Sequence, residues 1–150
     1  MQTRFLLLAT LALIVGALIP IQAATNAAMS KALGGIGYAS LVLFGISLAV
    51  VLGWIVVSQV AMPSAAAFRA APLYGWLGGF IVASYVLSIT FLAPRLGVGN
   101  AICFIVTGQI LAAVAIDHFG AFGAAVRTFS VQRALGVALM VVGLFLAKRG

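Results

Sequence analysis

Acidic side chains are almost missing from this chain: Asp117 stands alone against eight Lys and Arg in 150 residues. Charge of either sign is scarce, at 6% of residues, while 65% are hydrophobic; an ordinary soluble domain carries roughly a quarter charged residues. Nine charges cannot clothe a globule of this size in a water-compatible skin. Disorder is excluded by the same apolar content. Thiols are missing too, and the single Cys103 cannot build a disulfide scaffold. The formal charge of +7 is not the footprint of a nucleic-acid partner, because its cations stand singly between apolar runs. Spaced in that way, they read as interfacial anchors of an integral membrane protein.

The windows between ionisable residues count the spans. Phe5 to Ser30 is 26 residues, Ala32 to Phe68 is 37, Ala70 to Pro94 is 25, and Leu96 to Ile116 is 21. A helix needs about 20 apolar residues to cross the hydrocarbon core, so each window holds one span. The last window, Ala134 to Ala147, is 14 residues and must begin near Val131, with Arg133 snorkelling back to the headgroups. The fold expected is all-α, a single transmembrane domain over residues 1–150. Its five helices fall at about 5–29, 38–61, 74–93, 97–116 and 131–147. Gly34, Gly35 and Gly37 break the chain after the first helix, Pro63 and Pro72 bracket the second link, and Pro94 ends the third helix. Gly120 and Gly123 open the fourth link, and Ser130 is placed to cap the last helix. Arg4, the run Phe5–Ile19 and the small Ala23 and Ala24 also resemble a secretory signal. The segment continues to spanning length and carries amides, so a retained first helix is the reading adopted.

Five spans divide the cations evenly. Arg4, Arg69, Arg127 and Arg133 fall on the side of the N-terminus, and Lys31, Arg95, Lys148 and Arg149 on the other. An oriented protein shows an excess of Lys and Arg on its cytoplasmic face; four against four predicts insertion either way up. Opposite insertions of one chain allow an antiparallel homodimer, an inverted repeat of the sort alternating-access carriers exploit. Small residues recur at packing intervals, as Gly45, Ala49 and Gly53; Gly75, Gly79 and Ala83; and Gly136, Gly143 and Ala147. Such stripes let helices approach closely in lipid.

No carboxylate, His or Lys lies near the middle of a span, which argues against proton-coupled export of cations. Neutral polar groups must recognise any solute. Gln22 and Asn26 are four apart and share a helix face. Pro20, just before them, frees the Gly16 carbonyl. That pattern fits a discontinuous-helix binding site, and equally two amides bonding neighbouring helices. Gln109, with Thr107 nearby, sits near the middle of the fourth span and needs a partner there. Ser84, Tyr85 and Ser88 bring hydroxyls to the third. The serines are expected to bond their own helix, whereas the Tyr85 hydroxyl is harder to satisfy locally. Trp76 reads as a belt residue, and the deeper Trp54 as a wall of a cavity. Asp117 at a helix C-terminus opposes the dipole, as Arg133 does near the start of the next helix. An ion pair of Asp117 with Arg133 (or Arg127) clamps that link, and the other reading is an ion site at the mouth. His118 has no company for a metal or catalytic site, and Cys103 is an apolar filler.

Taken in order, several of these segments are distinctive. They are Gln22-Ala23-Ala24-Thr25-Asn26, Gly78-Gly79 with Tyr85-Val86 beyond, Ala93-Pro94-Arg95-Leu96-Gly97, Gly108-Gln109, Asp117-His118-Phe119-Gly120, and then Arg133 and Gly136. Over nearly the whole chain this set resembles the YdcZ-like family of the drug/metabolite transporter superfamily. The resemblance implies half-size, five-helix proteins of bacterial inner membranes that occur singly, in pairs or fused, and that assemble with antiparallel halves. It implies transport of substrates that are largely undefined. By position it directs attention to Gln22, Asn26, Gln109 and Asp117.

The expected function is therefore secondary transport of a neutral or zwitterionic small metabolite by an antiparallel homodimer. Gln22, Asn26, Gln109 and Tyr85 would line the cavity. Its partners are a second copy, membrane lipid and the solute, with no nucleic acid, cofactor or metal. A dual-topology ion channel and an accessory subunit without transport are the alternatives. An enzyme is not expected, since the sequence offers no nucleophile–base pair or metal set.

Overall fold

The computed structural model describes residues 2–127 and 130–149, with side chains throughout except at 133 and 147–149. Its long elements are helices: α1 Gln2–Leu33, α2 Ile36–Val57, α4 Leu77–Leu96, α5 Val98–Phe119 and α6 Val131–Arg149. A six-residue helix, α3 Ala65–Ala70, and a 3-10 turn, Leu73–Trp76, lie in the link before α4. A second 3-10 turn, Ala121–Gly123, follows α5. Among the described residues there is no strand.

Four helical segments are long and apolar enough to cross a membrane: Gln2–Leu33, Ile36–Val57, Leu73–Leu96 and Val98–Phe119. The apolar part of α6, Ala134–Leu146, is shorter than a span. Large apolar side chains cover the surface of these helices, Phe5, Leu13, Leu41, Val57, Phe80 and Leu139 among them. That is the surface hydrocarbon requires and water penalises.

Local chemistry explains where the helices end. After α1, Gly34 adopts φ +74, and the Gly35 N–H reaches the Ser30 carbonyl at 3.0 Å. This is the glycine-dependent C-terminal cap in which the second residue past the helix bonds back into its last turn. α2 stops at Val57 rather than near 61, because Gln59 turns the backbone left-handed at φ 50. The Ser64 hydroxyl accepts the Ala67 N–H at 3.2 Å and starts α3, an element the sequence reading leaves as a link.

Two prolines behave differently from expectation. α1 runs unbroken through Pro20, so the discontinuity expected there is absent. α4 passes Pro94 and ends at Leu96, three residues beyond the stop expected. In both helices the proline's fixed φ suits helical geometry and a single backbone bond is lost. The exit from α4 falls instead at Gly97, whose φ of +83 only glycine tolerates readily.

The chain divides into two compact units, Met1–Pro94 and Arg95–Gly150. In the first, α1 and α2 pack as a hairpin. Its buried residues are Ala23, Asn26 and Ala27 on α1, Ala39 and Ser40 on α2, and Val86, Ile89, Thr90 and Ala93 on α4. They lie in the C-terminal halves of α1 and α4 and the first turns of α2, so the interior is built at one end of the unit. The second unit packs α5 on α6, with the rings of Phe104 and Phe145 edge to face at 6.4 Å. Gly120 caps α5 in the left-handed conformation, and a Cβ there would meet Val126 Cγ2 at 2.6 Å. Ser130 stands just before α6, where its carbonyl accepts the Ala134 N–H at 3.0 Å.

Candidate functional site

Three helices of the first unit bring polar side chains into an apolar interior. Spacing of four places Gln22 and Asn26 one turn apart on one face of α1, beside the buried Ala23 and Ala27. These alanines let a neighbour come close to the amides. Asn26 is 5% exposed and Thr90 on α4 is 1% exposed. The Asn26 Nδ2 donates to Thr90 Oγ1, and Thr90 Oγ1 donates in turn to the Val86 carbonyl at 2.7 Å. A short relay thus runs from α1 into the backbone of α4.

Other polar atoms here are buried without a partner. Gln22 Oε1, Ser40 Oγ and the Tyr85 hydroxyl have none among the described residues. An unsatisfied buried donor or acceptor costs about 1–3 kcal/mol, and lipid offers no relief. Three such atoms on three helices of one unit form a set of sockets that water or a polar solute would fill. None is charged, so the set suits hydrogen-bonding groups without a fixed net charge.

Beside the relay an open groove of about 240 Å³ separates α1 from α2, with Thr25, Asn26 and Met29 on one wall and Ala39, Leu43 and Ser47 on the other. Thr25 Oγ1 is turned to its own helix, 3.0 Å from the Ile21 carbonyl, and Ser47 Oγ lies 2.8 Å from that of Leu43. Both hydroxyls are therefore spent locally, and the groove is apolar apart from Asn26.

The residues singled out in the sequence do not all meet. Gln22, Asn26 and Tyr85 belong to the first unit, whereas Gln109 belongs to the second, exposed at the middle of α5. Thr107 bonds the Cys103 carbonyl at 2.8 Å. Ser84 and Ser88 are exposed, as is Trp54 at 69%; it walls no cavity within the chain, because α2 turns that face outward. Asp117 is half-buried at the end of α5, and its carbonyl accepts the Arg127 N–H at 2.8 Å. The side chain of Arg133, its expected partner, lies outside the described residues.

Sequence reasoning missed Thr90 and Ser40. Thr90 satisfies the usual own-helix bond and a bond across helices at once, and only the first has a local signal. Ser40 follows Ala39 in the first turns of α2, a small-small pair that marks close packing and was the available clue.

No curated protein and no solved structure matches the chain. The profile of the DMT_YdcZ family, described as "Putative inner membrane exporter, YdcZ", matches residues 7–146. The match takes in the whole relay, its unpartnered neighbours and all four span-length helices but for the first residues of α1. The chain is thus a multi-pass inner-membrane protein with a transporter's role, and it belongs to the DMT_YdcZ family.

Proposed function

We propose that the chain is a small secondary transporter of a neutral or zwitterionic metabolite, working by alternating access as an antiparallel homodimer. α6 serves as the fifth span, and the even tally of cations lets copies insert both ways. The solute hydrogen-bonds to Gln22, Asn26 and Tyr85, with Ser40 beside them. The observation that carries this reading is the trio of buried, unpartnered atoms, Gln22 Oε1, Ser40 Oγ and the Tyr85 hydroxyl, in a charge-free interior. Groups that are expensive to bury and gain nothing from the fold are worth keeping where a ligand completes them.

The test compares the medium of cells producing the native chain with that of cells producing Gln22→Leu at equal membrane levels. The expected result is release of one or a few uncharged or zwitterionic metabolites by the native chain. Release should fall about tenfold in the variant, the scale of one lost hydrogen bond to the solute. Identical media, or release restricted to permanent cations, would overturn the reading.

A further inference from the structure

We propose that Gln109 marks the two-fold axis of the antiparallel dimer, its amide bonded to the partner's Gln109. The inference rests on the antiparallel homodimer described above and adds the residue at which the copies meet.

The first support is depth. α5 runs from Val98 to Phe119, 22 residues, and is apolar enough to span; Gln109 is its twelfth residue. At 1.5 Å per residue the helix is about 33 Å long, so Gln109 sits at the middle of the hydrocarbon. The second support is exposure. Gln109 is exposed on the surface of the chain and makes no hydrogen bond with the described residues. Lipid tails cannot take its donors or its acceptor, so the partner must come from outside the chain.

Symmetry then selects the partner. When two copies lie in opposite orientations, the axis relating them lies in the membrane plane at mid-depth. A residue near one end of a helix then faces the other end of the partner's helix, and only a mid-depth residue can meet its own counterpart. A glutamine is suited to that position, because its carbonyl and NH2 let two identical side chains donate and accept reciprocally. Gly108 and Ala112, exposed beside it, leave room for the second backbone; a Cβ on Gly108 would meet nothing within 4 Å.

Disulfide trapping in native membranes tests this, in a Cys103→Ala background. Gln109→Cys should give a covalent dimer on mild oxidation. Ile105→Cys and Ala113→Cys, one turn to either side, should each fail alone and should cross-link when differently tagged copies are produced together. Self-cross-linking at all three positions would indicate parallel copies and overturn the proposal. No cross-link at 109, with labelling of Gln109→Cys by a membrane-impermeant maleimide, would assign it to a water-filled cavity and overturn the self-pairing. Sided labelling of Gln2→Cys separates the two failures: both orientations with no 109 cross-link removes the axis residue alone, and a single orientation removes the dimer as well.

Discussion

Asn26 and Thr90 lie 64 residues apart and are joined amide to hydroxyl in the interior of the first unit. The bond fastens α1 to α4 at the level where the unit is most closely packed. It also commits the Asn26 amide nitrogen while the Gln22 oxygen one turn away stays open. One amide thus holds the helices together and its neighbour is left for a ligand, so the two readings of the pair drawn from the sequence divide between its members.

Thr90→Val keeps the shape of the side chain and removes the acceptor. It leaves the Asn26 amide buried and unpaired, and should lower stability by about 1–2 kcal/mol. Adding Asn26→Leu should recover part of that loss. A double-mutant cycle by thermal unfolding in micelles should give a coupling of roughly 0.5–1.5 kcal/mol, the range for polar contacts between membrane helices.

Tyr85→Phe and Ser40→Ala should separate stability from transport. Each deletes a buried atom that has no partner, so unfolding should be unchanged or raised by about 1 kcal/mol. Release of the metabolite by intact cells should fall with the same substitutions. A loss of stability in parallel with transport would make these groups part of the scaffold.

Gly120→Ala meets two penalties, a φ of +61 and a contact of 2.6 Å with Val126. The left-handed backbone alone is worth about 1–2 kcal/mol. Val126→Ala in the same chain should relieve the collision and leave the backbone strain, so the unfolding temperature should recover in part.

Gln2→Cys in a Cys103→Ala background reports orientation. About half of the molecules in intact cells should react with an impermeant maleimide, as the four-to-four division of cations requires. Reaction of all copies or of none would establish one orientation.

The span-length helices were legible because uncharged windows of 21 residues or more have few other uses. The last was harder: its window of 14 matches the short apolar stretch Ala134–Leu146, and length alone does not make it a span. Helix ends were less legible. Pro20 and Pro94 look like stops on a local reading, yet each is carried inside a helix, because losing one backbone bond does not unwind the turns around it. In the site, the spacing of Gln22 and Asn26 was visible from periodicity. The bond to Thr90 was not, since no local pattern encodes which of many span hydroxyls faces a given amide.

Only Gly34 and Gly35 separate α1 from α2, and two residues reach about 7 Å when fully extended. Between Val57 and Leu73, by contrast, fifteen residues intervene. The hairpin is therefore a stiff lever and the longer connection a slack tether. Travel of the lever against α4 would be felt first at Asn26, the fulcrum that must let go of Thr90 before anything beyond it can swing.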